Sequence, residues 1–233
     1  MTTSKPPLVL PRPLIFFVSL WLVGSWLISI GVRQPLQPSS QSYTPGVRLM
    51  LLCLTIGLMI GWPLLRLSQR AADYPVRQTL LDLTVLLSTI QVVLWPLRLV
   101  TPWSIERTAV IDATLVAWLL LTSAFVAAAI GSHRALIRTL TMVICIALCL
   151  AGPMLGWLGT MTGIVMEPDR YAIISPLTSV HRLAEGGGAP PDADDWLMLR
   201  WIAITVVMAW IAVLILPRRE LIVRTETSQP ERS

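Results

Sequence analysis

The residues able to do chemistry in this chain are few, and most of them stand apart from one another. Two carboxylates, Asp82 and Asp112, lie at the edges of long apolar stretches. Intramembrane acids are costly and often functional. Each is expected in the first turn of its helix, where the positive dipole end and nearby water ease the charge. Asp82 is expected near the inner face and Asp112 near the outer one, so they are too far apart to act as a close acid/base pair. Two readings stay open for them: a structural or interfacial role, or the lining of a transport path.

The remaining reactive side chains point away from catalysis. His133 and His181 fall in loops on opposite faces and cannot jointly hold a metal, which needs three or four convergent ligands. Cys145 and Cys149 are spaced i,i+4 on one helix face, too far apart for an easy bridge, and Cys53 is remote from both. They read as small buried hydrophobes, with no redox role. Lys5 is the only lysine, which excludes a Schiff-base or phosphate-loop lysine inside the fold. No Walker, HExxH or GxSxG motif occurs. The expectation is a protein that is not an enzyme, with no catalytic residue, metal or cofactor.

What must position these residues is a membrane bundle. Hydrophobic residues make up 55% of the 233-residue chain and charged residues 13%, against about 25% charged in ordinary soluble domains. Mean hydropathy is +0.70 and the net charge only +5. A nucleic-acid binder would need a dense basic face, and a disordered chain far less apolar content. Six stretches approach the roughly 20 apolar residues that cross a bilayer: 14–31, 49–67, 83–100, 109–130, 140–165 and 196–216. The fold class is therefore an all-α integral membrane protein, one membrane domain over 1–233 with a polar tail at 217–233. The first stretch exceeds a secretory h-region and lacks a small-x-small cleavage site, so it reads as a retained span.

Charge and tryptophan placement orient the bundle. With the N-terminus inside, 11 of the 18 cations fall on the cytoplasmic side, as the positive-inside rule expects. Both termini are then cytoplasmic, in the cytoplasmic (inner) membrane. Trp95, Trp103, Trp157, Trp196 and Trp201 mark the outer boundary and Trp62 the inner one. Residues 34–41 read as a Pro/Ser/Gln loop, and Ser104 as the N-cap of the fourth span.

Two patterns suggest close packing. Gly57 and Gly61 stand in the second span, and Gly152, Gly156, Gly159 and Gly163 recur every three or four residues along the fifth. Small residues at this spacing let helices approach, within the bundle or at a dimer seam. Pro153 is expected to kink or break the fifth helix. Between spans five and six, Ser175 suits an N-cap and Pro176 the first helical position. Leu177, Val180, Leu183 and Ala184 then share one side, and Gly186, Gly187 and Gly188 stop the helix. The expectation is a short amphipathic helix lying in, or dipping into, the outer interface.

Six short-loop spans, a basic inner loop after span two and the Ser175-Pro176-Leu177 element resemble the type-2 permease subunits of ABC exporters. The resemblance implies a transport function driven by a separate ATP-binding subunit. It implies that 68–79 touches that ATPase, with Arg70, Asp73, Tyr74 and Arg77 as contacts. It also implies that 171–184, with Ser175, Pro176, Leu177 and His181, forms an outer re-entrant element. Partners would be the lipid bilayer, the ATPase and a second subunit in a homodimer or heterodimer; nucleic acid is not expected. The chain departs from that family at its start, where Pro6, Pro7, Pro11 and Pro13 replace an amphipathic surface helix. The alternative reading is a non-transporting membrane scaffold or assembly factor.

Overall fold

A computed structural model describes residues 12–32, 39–69, 72, 74–132, 134–163 and 173–227, with side chains through 215. Arg70, Asp73, His133, residues 164–165, the start of the 171–184 element and the three prolines before Arg12 lie outside the described residues. The chain is a polytopic, all-helical membrane protein. Six helices are long and apolar enough to cross a bilayer: α1 (Arg12–Gly31), α2 (Ser40–Ser68), α3 (Pro75–Val100), α4 (Ile105–Ile130), α5 (Ala135–Thr162) and, after the short α6 (Pro176–Glu185), α7 (Ala193–Thr227). The end of the bundle at which α4 and α7 begin is called the upper end.

Several helices start earlier than their apolar runs. Helix α2 begins at Ser40, because Ser39 and Ser42 form a reciprocal capping box that satisfies two of the otherwise unbonded first-turn N–H groups. Ser40 and Gln41 are therefore helical, not loop. Pro75 opens α3 from the first turn, where its fixed φ and missing N–H are harmless. Asp82 thus sits seven residues in, beyond the first turn expected for it. The Ser104 side chain accepts from Arg107 N, which starts α4 at Ile105 and places Asp112 two turns deep. Pro153 does not end α5, which continues to Thr162 and stops at Gly163, in the left-handed region at φ 69°. Helix α7 runs on to Thr227, through much of the stretch read as a tail.

Helix α4 is the hub. In its most apolar 18-residue window 72% of the residues are buried, against 22% for α1, α5 and α7. A helix apolar on all sides belongs at the centre of a bundle. Small side chains at Thr114, Ala117, Ser123, Ala124, Ala127 and Ala129, all buried, allow close approach of its neighbours. It packs on α3, α6, α7 and α5, and on the lower part of α2. The central core is filled by Leu115, Trp118, Leu119, Met59, Leu86 and Ile90.

Candidate functional site

Helix α6 starts deep inside the bundle and ends at its upper end. Ser175 has the extended backbone of an N-cap, yet its side chain makes no capping bond. Its hydroxyl donates instead to the Cys149 carbonyl at 2.5 Å. The reason lies four residues along α5. That carbonyl would ordinarily accept from residue 153, and Pro153 has no N–H. Proline therefore orphans the acceptor and serine fills it, as an apolar interior demands. Gly152 completes the joint, since a Cβ there would collide with the Thr178 and Ser175 side chains.

Depth follows from these contacts. Cys149 lies halfway along α5, so the N-terminus of α6 stands near mid-bundle. From there the helix rises about 15 Å. Its buried side carries Pro176, Leu177, Ser179, Val180, Leu183 and Ala184, the expected apolar face. It packs against α2, α4 and α5, with Trp118 Nε1 donating to Ser179 Oγ at 3.3 Å. His181 is on the opposite, exposed side, 3.2 Å from Glu185. The element is inserted into the bundle, not laid along its surface.

Two arginines hold the upper end of α6. The last carbonyls of a helix have no internal partner and carry its negative dipole end. Arg107 Nη1 donates to Leu183 O at 3.0 Å, and its Nε and Nη2 donate to Ala189 O at 2.7 Å and Pro190 O at 2.9 Å. Arg48 donates to Ala184 O at 3.1 Å and Glu185 O at 3.3 Å. Trp103 Nε1 reaches Ala184 O at 3.3 Å. Arg107 is 5% exposed, and its countercharge is Asp195, 3.8 Å away. Arg182 adds a second cation, 3.7 Å from Asp195. Gly186 is required here because a Cβ would overlap the Arg107 guanidinium. Asp192 and Asp195 exchange backbone-to-carboxylate bonds at 2.8 and 3.2 Å and so open α7. A cavity of about 350 Å³ lies among Arg107, Arg182, Glu185, Gly186, Asp192, Asp194 and Asp195.

A second centre closes the lower end. Arg66 Nε lies 2.7 Å from Asp82 Oδ2 and Nη2 donates to Oδ1 at 3.1 Å, an ion pair between α2 and α3. Trp62 Nε1 at 3.4 Å and Gln78 Nε2 at 3.2 Å complete the carboxylate's shell. Arg66 Nη1 also donates to Gln69 Oε1 at 2.6 Å. Arg138 of α5 donates to the Leu67 and Gln69 carbonyls, fixing the end of α2. Tyr74 and Arg77, at the start of α3, are exposed on this lower end.

Asp112 belongs to neither centre. Both its oxygens accept from Gln91 Nε2, at 2.8 and 2.9 Å, while Gln91 Oε1 accepts from Trp95 Nε1 at 2.7 Å. Gln91 stands nine residues from Asp82 on α3, about 13 Å along the axis, so the two carboxylates occupy separate layers. Of the glycines, Gly57 abuts Trp21 and Gly61 abuts Phe17, seating α1 on α2. Around Gly156 and Gly163 there is open space for a Cβ, and Gly159 is half-buried.

Arg48, Arg107, Trp103 and Asp195 were not legible as site residues, because the arginines count in the sequence only as topological charges. Their nearest signal is an arginine just before the start of an apolar run. Among the described residues no group of three or more His, Cys, Asp or Glu side chains is placed to hold a metal. No family model, no curated protein and no solved structure matches the chain.

Proposed function

We propose that the chain is the permease subunit of an ABC-type exporter, working in the cytoplasmic membrane with a separate ATP-binding subunit and with both termini in the cytoplasm. The observation that carries this reading is α6. It is a helix inserted from the upper end, hinged at mid-bundle on the Cys149 carbonyl and latched above by Arg48 and Arg107. Its two ends are fastened differently: Ser175 and Gly152 join the lower end to α5, and arginines hold the carbonyls of the upper end. Under this reading it is the outer gate, and Tyr74 and Arg77 face the ATPase on the opposite end. Affinity capture of the full chain from membranes in mild detergent is the test. A nucleotide-binding subunit is expected in the captured complex, with ATP hydrolysis that falls when Arg77 is replaced by Glu. Capture without any nucleotide-binding subunit overturns the reading.

A second reading, a scaffold or assembly factor, draws support from the filled centre around α4 and from the neutralisation of Asp82 by Arg66. The same capture separates the two. A scaffold is expected to come down with no nucleotide-binding subunit and no ATP hydrolysis.

A further inference from the structure

Helices α4 and α7 run side by side in the same direction, and two contacts fix their register. Arg107 pairs with Asp195 near the upper end, and Trp210 Nε1 donates to Leu120 O further down at 3.0 Å. Five residues beyond the Arg107–Asp195 pair stand Asp112 on α4 and Arg200 on α7. Both therefore lie about 7.5 Å deeper than that pair, at one common level. Asp112 is half-buried and accepts only from the Gln91 amide, with no cation beside it among the described residues. Arg200 is exposed on α7, among the exposed Trp196, Leu197, Trp201 and Ile204, with no hydrogen-bond or ion-pair partner among the described residues. Trp95, Trp196 and Trp201 put this level at the outer boundary of the membrane, where a carboxylate and a guanidinium of opposite sign stand at one depth without an ionic partner among the described residues.

We propose that a second copy of this chain covers this face, with Asp112 of each copy paired to Arg200 of the other. Closed two-fold symmetry is the commonest arrangement of like subunits, and it makes one patch complementary to itself. A two-fold axis along the bundle preserves depth, so only charges at equal depth can meet across it. Asp112 and Arg200 satisfy that condition and are opposite in sign. The symmetry then forms two pairs and leaves neither charge alone. Gln91 positions the carboxylate, and Trp95 positions Gln91. The seam is independent of what the bundle carries and would serve a permease or a scaffold alike.

Two differently tagged full-length copies, co-expressed and captured through one tag from mild detergent, test the seam. Wild-type copies are expected to co-capture. Asp112→Arg alone, or Arg200→Asp alone, places like charges together and is expected to lower self-capture about tenfold. Mixing the Asp112→Arg copy with the Arg200→Asp copy restores both pairs and should restore capture. Failure of the wild-type copies to co-capture, wild-type self-capture by either variant, or a mixture no better than its parts overturns the proposal. In case the charge variants fold poorly, a conservative pair decides. An Asp112→Cys copy and an Arg200→Cys copy, treated in membranes with a short thiol cross-linker, are expected to give a covalent dimer. Asp112→Cys with Leu64→Cys, whose exposed site is at the lower end, should give none. A missing Asp112→Cys/Arg200→Cys product overturns the seam. Capture of a nucleotide-binding subunit is read separately, so the two ideas fail independently.

Discussion

The two arginine centres use the same side chain for different work. At the lower end Arg66 meets a carboxylate in an ion pair at 2.7 Å, joining α2 to α3, each already held by its own helical ladder. At the upper end Arg107 spends three of its donors on main-chain carbonyls, and its carboxylate partner stands off at 3.8 Å. The lower centre ties elements that would exist without it. The upper one satisfies carbonyls in a segment that bonds few of them internally. The lesson is that a buried arginine is most indispensable where backbone, not a countercharge, is its principal partner. A buried ion pair can be exchanged for apolar packing at little loss, whereas orphaned carbonyls have no apolar substitute.

The largest expected effect would break that contrast outright if absent. Arg107→Leu strands the Leu183, Ala189 and Pro190 carbonyls and leaves Asp195 with Arg182 alone, and should cost about 3–5 kcal/mol. Thermal unfolding in detergent and protease cutting within residues 186–192 both report it. At the lower end, Asp82→Leu leaves Arg66 without its partner and should cost about 2–3 kcal/mol. Asp82→Leu combined with Arg66→Met should recover to within about 1 kcal/mol of wild type. No second substitution at Asp195 should rescue Arg107→Leu in the same way. If it does, the two centres are equivalent and the distinction is lost. The smallest effect sharpens the account of α6. Ser175→Ala should cost about 1 kcal/mol, and distinctly less in a Pro153→Ala background, where residue 153 supplies Cys149 with an ordinary helical N–H. A double-mutant cycle on unfolding temperature reads that coupling.

Much of the fold was legible because apolar length is a strong signal: all six spans appear where the runs are. The starts of α2 and α3 were not, since their first turns are polar and are set by local chemistry at Ser39 and Pro75. Ser104 was read as the cap of the fourth span, and α4 does start behind it. The apolar face of α6 was legible from spacing, which left open whether the helix lies in the interface or dips into the bundle. That depends on Ser175 finding Cys149 across 26 positions. A Cβ would collide with a neighbouring side chain at Gly57, Gly61 and Gly152 and would meet open space at Gly156, although the spacing marks all four alike. Arg107 and Arg48 escaped notice because their acceptors are carbonyls, which every residue has and no sequence pattern marks.

The upper latch also has a timetable. Synthesis proceeds from the N-terminus, and earlier segments begin folding first. Arg48 and Arg107 are made before the carbonyls they hold, and Asp195 is made after them. A nascent chain that has delivered α6 but not α7 therefore carries an uncompensated guanidinium near the top of its central helix. Integration of the last span supplies the missing charge through Asp195 and closes the bundle around α4. The final helix thus completes the charge balance of the upper end: a chain truncated before residue 193 would lack the Asp195 carboxylate beside Arg107.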